Sequence, residues 1–427
     1  MERGDHLYQQ YIAILEEELR PAMGCTEPIA LAYAGAKGRA LLGQLPERIE
    51  VAVSGNIIKN VKSVVVPNTG GLRGIAAAVC AGVVAGQPEK ELEVISQVSS
   101  EQCSQLRTFM GDVEILIRPA DSDLVFDIDL QLYHGDDCAR VRIVNHHTNI
   151  VYLSKNENVL LELPVEESSE DHLTDKSCLS IKKIVEFADV LNVDDVRGCV
   201  GHQIEYNLAI AHAGLEGNWG ANIGRVILRQ QGQSLEKRAC AHAAAGSDAR
   251  MSGCEMPVII LSGSGNQGIT ASVPVAIVAK EMGASEEELL KAVVVSDLVT
   301  IHQKTGIGRL SAYCGAISAG CGAGAGIAYL RGGKFHAVAH TVVNAIAILS
   351  GTICDGAKPS CAAKIAAAVD AGILGYDMYL ENQQFYSGDG IVTKGVDRTV
   401  TNVGRLAREG MRETDKTILE IMLSDGC

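Results

Sequence analysis

The sequence holds 427 residues, 47% hydrophobic and 21% charged, which is the composition of a globular protein with enough chain for roughly two or three domains. A formal net charge of −15 and a pI of about 5.2 argue against nucleic acid and anionic membrane surfaces, which need clustered Lys and Arg, and leave a small molecule as the expected partner. Residues 1–20 are charged and amphipathic rather than an apolar leader, and no apolar run is long enough to span a bilayer, so the expected location is the cytoplasm and the 13 cysteines are expected as thiols.

In chain order, residues 5–20 have helical spacing, with Leu7, Tyr11, Ile14, Leu15 and Leu19 on one face, and Pro21 ends the helix. A second helix is expected to begin near Thr26-Glu27-Pro28, where Pro suits a first helical position. Strands are expected at 49–53, 61–66, 113–117, 124–132, 139–145 and 149–154, with helices at 70–86 and 88–98. The acidic, polar run 165–178 places a domain boundary between 1–165 and 166–427. Beyond it, Ala-rich helical spacing covers 204–217, 236–250, 271–282, 286–300, 336–349 and 361–372. The expected architecture is an α+β N-terminal domain followed by a mainly α-helical C-terminal domain. A broad Gly- and Ala-rich helical surface is compatible with a homodimer.

Gly-rich breaks in the second half carry the chemistry. Ser262-Gly263-Ser264-Gly265-Asn266-Gln267 can converge several donors on one carboxylate or phosphate, with a helix expected from Ile269. Next come Lys304-Thr-Gly-Ile-Gly308, Cys314 before Gly315, and Cys321 before Gly-Ala-Gly-Ala-Gly326. Then Cys354 and Cys361 bracket a loop with Asp, Gly and Pro. Structural zinc sites use short Cys pairs, and ferredoxin runs are equally tight, so this spacing fits neither. A [4Fe–4S] cluster held from three separate loops has no spacing rule. In the first domain, Cys25 lies in MGCTEP at an expected helix start, where a thiol favours its thiolate. Asn56 follows Gly55, and Asn68 stands two residues before Gly70. His202, His212 and His242 lie on Ala-rich helices and are read as structural.

SGSGNQG (262–268), HQKTGIG (302–308), YCGAISAGC (313–321) and TICDGAKPSC (352–361) together resemble the alpha-chain domain of the iron–sulfur L-serine dehydratases. With MGCTEP (23–28), SGNIIKN (54–60) and PNTGG (67–71), the whole chain resembles the L-cysteine desulfidase family more closely. The resemblance implies a C-terminal fold of the serine dehydratase alpha-chain type. It implies a [4Fe–4S] cluster on Cys354, Cys361 and Cys314, with Cys321 the alternate third ligand because the dehydratase Gly-Cys-Gln is Tyr-Cys-Gly here. Substrate, water, Cys25 or the terminal Cys427 remain candidates for the fourth position. It further implies β-elimination of L-cysteine to sulfide, pyruvate and ammonia, an amino-acid catabolic reaction. In that reading Cys25 acts as base and Lys304 orients substrate or neutralises charge. The Ser262–Gln267 loop holds the carboxylate, and Asn56 and Asn68 complete the pocket. L-Serine dehydration and a non-catalytic cluster-binding sensor are the alternatives. A pyridoxal-phosphate lyase fits less well, since the nearest upstream Lys237 lacks the Ser-x-Lys setting.

Overall fold

The computed structural model describes all residues except 123, 166–173, 231–233, 309–310 and 425–427. The segment next to the expected 165/166 boundary and the terminal Cys427 therefore lie outside the described residues. The chain is a mixed α/β protein with an N-terminal sheet region and a helical C-terminal part.

The first part runs α1 (His6–Glu18), β1 (Arg20–Met23), α2 (Thr26–Leu42), β2 (Arg48–Val53), α3 (Gly55–Val61), α4 (Gly74–Ala85) and α5 (Ser100–Asp112). It continues through β3 (Glu114–Pro119), β4 (Asp127–His134), β5 (Asp137–Val144), β6 (Ile150–Lys155) and β7 (Asn158–Glu162). Six strands form one sheet in the order β3-β2-β4-β5-β6-β7, with β2 and β3 parallel and the rest antiparallel. Along β4, Ile128, Leu130 and Leu132 turn inward while Asp129, Gln131 and Tyr133 turn out, the period-two alternation of a half-buried strand. The inward face packs with α2 and α4 into one apolar core.

The second part comprises α6 (Ile181–Val190), α7 (Arg197–Glu216), α8 (Ile223–Gln230), α9 (Leu235–Met251), β8 (Pro257–Ile260) and α10 (Gly265–Met282). Next are α11 (Glu286–Ile307), α12 (Gly315–Leu330), α13 (Phe335–Leu349), α14 (Ser360–Leu380), α15 (Val396–Arg405) and α16 (Arg412–Ser424). The centre is α12, apolar on every side and buried on every side. Its glycines exist for close approach: a Cβ at Gly320 would stand 2.4 Å from the Ala368 carbonyl, and one at Gly324 2.4 Å from the Gly372 oxygen.

Links of several kinds join the parts. Helix α1 buries its apolar face in the helical core, where Tyr8 and Tyr11 meet Phe187 at ring distances of 5.1 and 5.0 Å. Strand β1 pairs antiparallel with β8, Arg20 opposite Ile260 and Met23 opposite Pro257. Helix α16 returns to α3, where Lys59 and Asp415 form an ion pair and Lys62 Nζ donates to the Met422 carbonyl at 2.6 Å. Residues 1–165 thus contribute to both cores.

Three sequence expectations are corrected and one helix is added. The 61–66 strand is absent: α3 runs to Val61, and only Val65 bridges to Arg73. The 88–98 helix is a short 3-10 turn at Pro88–Glu93. Helix α5, started by a reciprocal Ser99–Gln102 capping box, is an addition. Residues 321–326 are helix interior rather than a break, because their glycines accommodate neighbouring helices. Among the described residues, no helix is long and apolar enough to cross a membrane.

Candidate active site

One cavity lies where the two parts meet, walled by α2 and α3 on one side and by α9, α10, α11, α12 and α14 on the other. On the first wall, Cys25 is the N-cap of α2 and Thr26 and Glu27 form its first turn. Asn60 Nδ2 donates to Glu27 Oε1 at 3.1 Å. Thr26 Oγ1 lies 3.2 Å from both Glu27 Oε2 and the Gly263 carbonyl, so this turn of α2 touches the α10 loop across the cleft. Arg250 Nε donates to the Gly24 carbonyl at 3.0 Å and fixes the turn before Cys25.

On the second wall, Ser262 (φ 49°) and Gly263 (φ 79°) make a left-handed turn closed by the Leu261–Ser264 bridge. Helix α10 then begins at Gly265, earlier than the expected Ile269, and puts Asn266 and Gln267 in its first turn. Gly263, Ser264, Asn266 and Gln267 line the cavity, with Asn56 opposite. Asn56 Oδ1, Asn266 Oδ1, Gln267 Oε1 and the Tyr313 hydroxyl are buried without a hydrogen-bond partner. Each unmet polar atom costs about 1–3 kcal/mol, so four on one cavity mark a surface built to meet a polar ligand. Free N–H groups at the start of α10 make this wall suited to an anion such as a carboxylate.

The cysteines come from a short ladder. Tyr313 and Ile353 face each other in an antiparallel bridge; Cys314 N donates to Thr352 O at 3.0 Å and Cys354 N to Ala312 O at 2.6 Å. Cys314 N-caps α12, and Cys361 lies in the first turn of α14, its thiol 3.6 Å from the Gly356 carbonyl. Cys25, Cys314, Cys354 and Cys361 all line the cavity. Cys321 does not: it is buried inside α12, 3.5 Å from the Val342 carbonyl, and burial pushes its thiol up to about 12. Lys304 is buried and lines the cavity, as does Lys59.

The electrostatics separate the thiols. A hydrogen bond from Cys314 pulls the Cys354 thiol well below the usual range, with help from Lys59, the Gly356 N–H and Lys304. The same contact, together with burial, pushes Cys314 up, so the pair shares one proton. Burial also raises Cys361. At Cys25 burial works against the expected thiolate. Its Sγ packs 3.8 Å from Met251 Sδ, and burial, outweighing Arg250, pushes it up to about 12. Glu27 is likewise raised by burial.

Asn68 stands apart: its Nδ2 donates to the Ile95 carbonyl at 2.8 Å and holds a turn. Ser262 and Gly265 shape the loop, and a Cβ at Gly265 would stand 2.4 Å from Arg250 Nε. Thr26, Glu27, Lys59, Asn60, Arg250 and Tyr313 are among the cavity residues that the sequence reading missed. Glu27 sits inside MGCTEP and Lys59 and Asn60 inside SGNIIKN, so those motifs held the signal.

The donor set suits an iron–sulfur cluster. Three thiols on separate segments line one cavity, one is already biased to thiolate, and two lysines offset the charge. Among the described residues, no three His, Cys, Asp or Glu side chains converge as they would on a single metal ion. Cluster ligands bind different irons and have no need to converge on one point.

Comparison with known proteins places the chain. The serine dehydratase alpha chain family model matches residues 89–420, which takes in β3–β7 as well as the helical part. A UPF0597 protein of Desulfitobacterium hafniense (strain Y51) is 57% identical over 424 residues, 99% of each chain. A UPF0597 protein of Treponema denticola is 42% identical over 98% of each chain. A third, from Lachnoclostridium phytofermentans, is 45% identical over 98% of this chain and 100% of its own. The chain belongs to the serine dehydratase alpha chain family.

Proposed function

We propose that this protein is an iron–sulfur lyase that removes the β-substituent of a small L-amino acid, L-cysteine first, giving sulfide, pyruvate and ammonia. The observation that carries this reading is the meeting of Cys314, Cys354 and Cys361 with Lys304 and the start of α10 on one cavity. Cys314, Cys354 and Cys361 would hold a [4Fe–4S] cluster. When bound, the cluster supplies an open iron position, a Lewis acid toward the departing sulfur or oxygen.

The chain's own residues do the rest. N–H groups at the start of α10 hold the substrate carboxylate, helped by the side chains of Ser264, Asn266 and Gln267. Asn56 faces that loop and orients the amino acid from α3. Lys304 offsets negative charge beside the thiolates. Thr26, in contact with Gly263, closes the cleft against water.

L-Serine is the second substrate reading, favoured by the matched family itself. Iron and acid-labile sulfide in anaerobically purified protein test the cluster, with about four of each per chain expected. Pyruvate release from L-cysteine and L-serine then ranks the substrates. No iron after anaerobic reconstitution would overturn the proposal.

A further inference from the structure

We infer that Glu27 is the general base that takes the α-proton of the bound amino acid, an inference that rests on the lyase reading above. Among the described residues lining the cavity, Glu27 is the one carboxylate, and no histidine lines it. Several other cavity groups that could accept a proton are engaged or unsuited, and Lys304 already serves as the cation beside the thiols. Cys314, Cys354 and Cys361 form the cluster's donor set. Cys25, the base implied by the family resemblance, packs on Met251, and burial pushes its thiol up to about 12. Lys59 is ion-paired with Asp415. The Tyr313 phenol is raised further by burial.

Glu27 is placed for the task. It sits in the first turn of α2, across the cleft from the carboxylate-binding start of α10, and Thr26 ties the two together. Asn60 fixes one carboxylate oxygen and Thr26 lies against the other, so the group is held in one orientation. Burial raises Glu27 most; its backbone N–H, Arg250 and the Thr26 hydroxyl favour the anion, while Cys354 and the neighbouring Cys25 oppose it. A carboxylate oriented by two neighbours inside a cleft suits proton abstraction.

The step balances simply. Glu27 takes the α-proton, the Cα–H electron pair becomes the Cα–Cβ π bond, and the Cβ–S bond breaks with the pair leaving on hydrosulfide. The 2-aminoacrylate tautomerises to the imine, and water converts that to pyruvate and ammonia. Glu27 then returns its proton to the leaving group or to solvent.

The test uses reconstituted holoenzyme with L-cysteine and α-deuterated L-cysteine. For Glu27→Gln, kcat should fall about 10²–10⁴-fold with KM changed only a few-fold. The isotope effect on kcat should rise, and the visible cluster spectrum should stay unchanged. In Glu27→Ala, added formate or acetate should restore part of the rate. Cys25→Ala should keep turnover well above Glu27→Gln. Glu27→Gln turnover within tenfold of wild type overturns the inference and leaves the lyase reading standing. So does a rise in KM alone, which would make Glu27 an anchor for the ammonium group. Absence of pyruvate from wild-type holoenzyme with an intact cluster overturns both.

Discussion

Tyr313 and Ile353 are paired across an isolated antiparallel bridge, and that bridge brings Cys314 and Cys354 together from segments 40 residues apart. Cys321, by contrast, is turned into the packed interior of α12. Cys314→Ala, Cys354→Ala and Cys361→Ala should each lose most of the iron. Cys321→Ala should keep it and lose only about 1 kcal/mol of stability from a small void. Iron per chain and visible absorbance across the four variants check this. Retention in Cys314→Ala with loss in Cys321→Ala would reverse the ligand assignment.

Helix α16 is tethered beside the cavity by the Lys59–Asp415 pair. The Lys59 side chain is 2% exposed and that of Asp415 28% exposed. Removing Asp415 strands a buried cation. Asp415→Ala should destabilise the protein by about 2 kcal/mol, less than the ~3–5 kcal/mol of a fully buried pair because solvent screens Asp415. Lys59→Met in the same chain should recover part of the loss. Denaturant midpoints of the four proteins in the double-mutant cycle measure the coupling, and additive effects would rule it out.

Asp297 in α11 is fully buried; Gln203 donates to one oxygen at 2.9 Å, while the other has no partner. Burial pushes its carboxyl up to about 8 from an ordinary value of 3.8. Between those values the folded chain holds one more proton than the unfolded chain, so stability falls as pH rises and levels off above 8. Asp297→Asn removes this contribution. It should stabilise the protein by an amount that grows between pH 5 and 8, on the order of a few kcal/mol at the upper end. Urea midpoints of both proteins at three pH values check this. A gain independent of pH would mean that Asp297 is ionised in the fold.

Much of this was readable before any coordinates. Residues 5–20, the strands near 49–53 and 139–145, and the long Ala-rich helices follow from periodicity. The failures have physical causes. Ile57, Ile58 and Val61 lead into a β-branched run at 64–66, so a short buried helix and a turn spell like a strand. Gly320, Gly322, Gly324 and Gly326 spell like a loop, yet they mark where neighbouring helices press against α12. MGCTEP drew attention to its sulfur, and only the fold shows that burial pushes that thiol up while Glu27 two positions later also lines the cavity. Periodicity carries no information on which side of a helix start meets another wall.

The β1–β8 ribbon has a consequence for biosynthesis. Its two strands are separated by more than 230 residues, and the cavity also needs Cys361 and, through Lys59, Asp415. A ribosome adds roughly 5–20 residues per second, so the wall carrying Glu27 waits on the order of tens of seconds for the wall that faces it. Cys314, Cys354 and Cys361 emerge late and close together, so the cavity is complete only in a finished or nearly finished polypeptide.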